Sequence, residues 1–343
     1  MIEKYYDGAI EQVAAGLGTV EKNYLLVRYS GQFSVENLND TKQLEKNEDI
    51  FVQVHEFETG EITCAYEPYL TMICDGFRRY MTGTFEEFME TCDVYYLHRP
   101  VLLGYFNQDN TGREEIILLD EVAYEQERML AALERMLCAI ADRHPVLFVL
   151  NRFQLASKST MQLTARFLKC ENCNIGLVLG VSDIQAMPEF LVPDWEMLYE
   201  TLDDGSKIYH IGNSGRKKEE TIDDEKYVDY GSEKVYRKLQ NMVEFLDFDQ
   251  AAYYLETIER KIKFDNLLVD DAARFRMWLL FVKVSILRQD IPKALEICED
   301  LEKIHLAGKE EECAYEQDYL IATAYTVSYT HLRAHETSAQ LVC

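Results

Sequence analysis

A chain of 343 residues, 48% apolar and 28% charged, has the composition of a folded protein and is long enough for one large or two ordinary domains, which excludes a disordered chain. The formal charge of −26 at pH 7 repels polyanions and argues against nucleic acid as a partner of this segment, and no apolar run reaches the roughly 18 residues of a membrane span. The nine cysteines have no framework spacing, and the opening MIEKYYDGAIEQ lacks a basic-then-apolar leader pattern, so the expectation is a reduced, cytoplasmic protein.

Ile2–Leu17 carries Tyr5, Tyr6, Ala9, Ile10, Val13 and Leu17 at helical spacing and predicts a helix that closes at Gly16 and Gly18. Tyr24–Tyr29, YLLVRY, predicts a buried strand, and it runs into Gly31-Gln-Phe-Ser-Val-Glu36-Asn37-Leu38, a strand-to-helix turn by its residues. Ile50–Val54 predicts the next strand. Pro68 suits the first turn of a helix with Tyr69, Leu70, Ile73, Phe77 and Tyr80 inward, and Thr84–Thr91 predicts another on Phe85, Phe88 and Met89. Tyr95–Tyr105 is mixed, with Arg99-Pro100 read as a break, and Asn107–Arg113 reads as a polar loop. Met129, Leu130, Leu133, Met136, Leu137 and Ile140 recur at three and four, so a long helix spans about Ala123 to Asp142. Asp120 and Glu121 cap its start, because adjacent residues on a helix do not face one another as an acid pair would.

The stretch from His144 to Asp183 organises the chain. Val146–Leu150 is too short for a buried helix and rich in β-branched and aromatic residues, so it predicts an interior parallel strand. Ile175–Val181 predicts a second, and Ser159–Leu168 between them has the periodicity of a crossover helix, which together make a βαβ unit. Cys170-Glu-Asn-Cys173 has no second pair at zinc-site distance and reads as two turn cysteines. Met197–Leu202 then predicts a helical segment and Lys207–Ile211 a last strand, on which His210 is a structural histidine.

This order of strand, polar loop, helix and strand resembles the Walker B to sensor region of the STAND-class P-loop ATPases, the signal-transduction ATPases of bacterial regulators. The resemblance implies an α/β fold: a parallel-sheet P-loop NTPase-like domain followed by an all-α helical-repeat segment. In that family the first strand leads into G-x-x-x-x-G-K-[ST], whose amides, lysine and hydroxyl hold phosphates and magnesium. Here Gly31 is kept, while Glu36 stands for the second glycine, Asn37 for the lysine and Leu38 for the hydroxyl. The two acids that end the family's Walker B strand are Asn151 and Arg152, and the sensor arginine falls close to Ser182-Asp183. An acid facing phosphate, and an amide and a cation in place of metal-holding carboxylates, imply no cofactor, no metal and no catalytic residue in this segment.

Asn213–Asp229 is the most polar stretch and carries the expected boundary, with a first domain over 1–212 and a linker over 213–231. From Ser232 onward there is helical periodicity only, in four runs marked by Val235–Leu246, Ala251–Ile262, Phe275–Ile286 and Ala294–Ile304. Trp278 and Ala294 stand sixteen apart, the separation between the first-helix aromatic and the second-helix alanine of a tetratricopeptide unit, so 232–326 resembles tetratricopeptide-like hairpins. Val327–Thr337, VSYTHLRAHET, resembles one translated frame of a transposon-based sequencing-library adapter. The expectation is therefore that 327–343 is not native and that the chain is truncated near Thr326.

The function this predicts is a pseudo-ATPase scaffold or sensor in a bacterial regulator, with protein partners on the helical segment and neither nucleic acid nor membrane bound. The alternative is a nucleotide switch that reaches phosphates through Arg28 or Arg152 and controls a C-terminal output domain, a diguanylate cyclase or a helix-turn-helix. A hydrolase or transferase lacks support: no nucleophile elbow, paired-histidine motif or glycine-rich dinucleotide fingerprint is present.

Overall fold

The computed structural model describes residues 2–17, 23–29, 49–58, 60–108, 121–170, 174–182, 187–202, 208–211, 229–304, 323 and 326. The chain divides into two compact units, Met1–Arg113 with Gln126–Val228, and Glu114–Glu125 with Asp229–Cys343. The second break falls inside the polar stretch 213–231.

The first unit is built on a parallel sheet of five strands, β1 (Tyr24–Tyr29), β2 (Phe51–Glu56), β3 (Val146–Asn151), β4 (Ile175–Ser182) and β5 (Ile208–Ile211), in the order β2-β3-β4-β1-β5. β3 and β4 are buried along their whole length, which is why they read as unbroken apolar runs rather than alternating ones. They pair directly, Val146 with Ile175 through Leu150 with Leu179, joined by the crossover helix α6 (Lys158–Lys169), as a βαβ unit requires.

The two faces of the sheet are covered by different helices. Ala9, Ile10 and Val13 of α1 (Ile2–Gly16) pack on Leu25, Val27, Leu147, Val149 and Val178. That approach is close: a Cβ on Gly176 would lie 2.7 Å from Val13 Cγ1 and 3.1 Å from Leu147 Cδ1, so the position has room only for hydrogen. On the opposite face Phe148 meets the ring of Tyr69 at 4.7 Å, and Tyr69 meets Phe167 of α6 at 5.4 Å, which seats α2 (Tyr69–Tyr80).

Two readings change at prolines. Pro68 stands just before α2 as its cap residue rather than inside the first turn. Arg99-Pro100 does not break the chain but opens α4 (Arg99–Asn107), after α3 (Phe85–Thr91) with its Thr84–Glu87 capping box. In the first helical turn proline gives up an N–H that has no acceptor there, so it is compatible with a helix start. The long helix is α5 (Val122–Ala141), and α7 (Val192–Leu202) begins five residues before the predicted Met197.

The second unit contains α8 (Glu233–Glu244), α9 (Phe248–Phe264), α10 (Asp271–Leu287) and α11 (Ile291–Leu301). α8 and α11 each bury one side. α10 is different: Met277, Leu279, Leu280 and Val284 are buried as well as Phe275, Trp278, Phe281 and Val282, so this helix is covered over most of its circumference, with Arg276 and Lys283 left on a part-exposed face. No helix among the described residues is long and apolar enough to cross a membrane.

Candidate functional site

In open parallel sheets ligands bind beyond the carboxyl ends of the strands, where neighbouring connections leave in opposite directions. Here the chain leaves β1 for the far edge at β2, returns through β3 and β4, and then passes β1 to reach β5. The direction reverses between β1 and β4, so the ends of β1, β4 and β3 define the place to inspect.

Alternation along the strands sends Tyr29, Glu56 and Asn151 to the face that carries α1. Tyr29, the last residue of β1, donates its hydroxyl proton to Asn151 Oδ1 at 2.7 Å, spanning β4 to reach the end of β3. Both side chains are buried, Asn151 completely. Burial pushes the Tyr29 phenol up to about 12, against the opposing pull of the Arg152 charge and the hydrogen bond with Asn151.

Arg152 follows β3 in a left-handed conformation, φ 53°, and opens a 3₁₀ turn, Phe153–Leu155. Its Nη2 lies 3.3 Å from Glu56 Oε1, the carboxylate at the end of the neighbouring β2, and both side chains are mostly covered. Glu56 pairs in register with Asn151, and Phe57 N–H donates to the Asn151 carbonyl at 3.1 Å, so the ends of β2 and β3 are tied together.

The turn after β3 is fixed as firmly. Buried Gln154 uses both ends of its amide on the backbone of Ser182 at the end of β4, donating to the carbonyl at 3.2 Å and accepting from the N–H at 3.3 Å. Ser157 caps α6 by accepting from Thr160 N–H, Tyr66 N–H donates to Ser159 Oγ at 3.0 Å, and Thr160 Oγ1 donates to the Glu67 carbonyl at 2.9 Å. The polar loop expected between strand and helix is thus a buried hydroxyl network that holds the segment before α2.

Of the residues singled out from sequence, Asn151 and Arg152 stand at this edge. Gly31, Glu36, Asn37 and Leu38, Asp183, Cys173 and the 327–343 tail lie outside the described residues. Tyr29, where β1 ends two residues before Gly31, does reach the Asn151 edge. Arg28 points to the opposite face of β1 from Tyr29 and is half-buried. His210 pairs with Arg28 through the β5 backbone. Tyr29, Glu56 and Gln154 were not singled out. Glu56 could have been found by extending the alternation of Val52 and Val54 by one step.

A magnesium ion takes hard oxygen donors, above all carboxylates. At the end of β3 the Asn151 side-chain oxygen accepts from Tyr29, and the next side chain is a cation paired with Glu56, so Asn151 and Arg152 do not make a donor set for that ion. Among the described residues no group of three or more His, Cys, Asp or Glu side chains could share a metal. No protein-family model matches the chain, and a search of the curated proteins returns no significant match.

Proposed function

We propose that the chain is a scaffold or sensor segment of a signalling protein, with a STAND-like sheet domain that neither binds nor hydrolyses nucleotide and a helical segment that receives protein partners. The observation that carries this reading is the closed polar edge at the ends of β1, β2 and β3. Asn151 is turned to Tyr29 and Arg152 to Glu56, so the groups standing in the Walker B place are engaged with the protein itself. A fold retained without its chemistry is expected where function resides in sites rather than in architecture. The five parallel strands and the reversal beside β1 support the sheet-domain part of the reading. The helices of the second unit support the partner-binding part, since helical surfaces commonly present grooves to other chains.

Titration calorimetry of the full chain with ATP and magnesium tests the proposal. No saturable heat is expected. Micromolar binding that weakens on Arg152→Ala would overturn it in favour of a nucleotide switch controlling an output domain.

A further inference from the structure

Arg152 follows the end of β3, the strand beside β4 at the reversal of the sheet. A guanidinium there presents a planar fork suited to phosphate or carboxylate oxygens. In this protein the fork faces a carboxylate supplied by the next strand, Glu56 Oε1 at 3.3 Å, and the Tyr29 phenol stands close enough for the same charge to act on it.

Neither partner can drift away easily. Glu56 is the last residue of β2 and is held in register with Asn151, and the backbone of Arg152 is placed by the turn that Gln154 pins to β4. The contact is therefore built into the sheet rather than being a chance encounter of two flexible surface chains. A phosphate arriving at this edge would have to displace an anion already in place and would meet its charge at short range.

We propose that Glu56 is a resident competitor: its carboxylate pairs with the Arg152 guanidinium and keeps inorganic phosphate, pyrophosphate and phosphate esters from this edge. This rests on the non-binding reading above and names the residue that enforces it. A partner or modification that withdrew the Glu56 charge would turn a closed edge into an anion site, so the contact is autoinhibitory.

The test is calorimetric titration of the full chain with pyrophosphate, without metal, at low ionic strength. Wild type is expected to give no saturable heat. Glu56→Gln, which keeps the shape and removes the charge, is expected to give saturable heat, at an affinity at least about tenfold tighter than the weakest the titration can detect, and Glu56→Gln with Arg152→Gln is expected to lose it. Saturable binding by wild type would overturn the non-binding reading itself. Silence from both wild type and a folded Glu56→Gln variant would leave that reading standing and overturn the role given to Glu56. Equal binding by Glu56→Gln with and without Arg152 would place the anion elsewhere and overturn it as well. Should Glu56→Gln fail to fold, Glu56→Ser carries the same comparisons.

Discussion

The two units bury polarity in opposite ways. In the sheet unit the buried polar groups are mostly neutral and bonded to partners far along the chain, Tyr29 to Asn151 and Gln154 to Ser182, or to one another as Ser157, Ser159 and Thr160 are. In the helical unit the polar contacts are ionic, sit nearer the surface and are shared. Glu259 accepts from Lys263 at 2.7 Å and from Lys293 at 2.8 and 2.9 Å, and both lysines also reach Glu296, at 3.1 and 3.0 Å. Hydrogen bonding to Glu259 raises the Lys263 ammonium above its ordinary value, and the two lysines hold Glu296 below its own. A buried neutral group that loses its partner has no water to replace it, whereas an ionic network near the surface can redistribute.

The contrast is sharpest at His98, in the sheet unit, whose imidazole is held down to about 4 by burial and by the Arg128 charge. Because the folded value lies below that of the unfolded chain, its contribution is complete above about pH 6.5 and is lost as pH falls toward 4. That amounts to about 3 kcal/mol across the window. Urea midpoints measured from pH 7 to pH 4 should fall less steeply in His98→Gln than in wild type. Parallel curves would mean that the histidine is not a buried neutral group.

Next in size is the Tyr29–Asn151 pair. Asn151→Leu removes the acceptor of a buried hydroxyl and is expected to destabilise by about 1–3 kcal/mol, with Tyr29→Phe costing less. The double variant should fall short of the sum of the two in chemical denaturation. Strict additivity would mean that Tyr29 and Asn151 do not act as a pair.

Smaller effects belong to the helices. Lys293→Gln leaves Glu259 with Lys263, so a loss of about 1 kcal/mol is expected, reduced further in high salt. A loss equal to that of Asn151→Leu would erase the contrast between the units. Arg237→Gln, which removes an exposed ion pair with Glu233 that Arg276 also serves, should shift the thermal midpoint only by the equivalent of a few tenths of a kcal/mol.

Much of the architecture was legible residue by residue. The apolar runs of β1, β3 and β4 and the stripes of α1 and α6 come out within a residue or two of where periodicity puts them, and the four helices after Ser232 within about four. Pro100 misled because the same residue ends a helix in its interior and begins one in its first turn, and no neighbour of Arg99 distinguishes the cases. α10 was legible as a helix but not as one covered over most of its circumference, since its inward set reads as a stripe until Leu280 and Val284 are seen to be buried too. At the candidate edge, Asn151 and Arg152 were visible as residue types, but what they touch was not.

By itself, then, the sequence determined the local elements and the chemical character of the β3 end, an amide and a cation, because both follow from residues adjacent in the chain. Only the tertiary structure decided that the amide belongs to Tyr29, 122 residues away, and the cation to Glu56. Those pairings depend on strand order and register, and a sheet in which β4 lies between β1 and β3 is set by packing on both faces together rather than by any one stretch of residues.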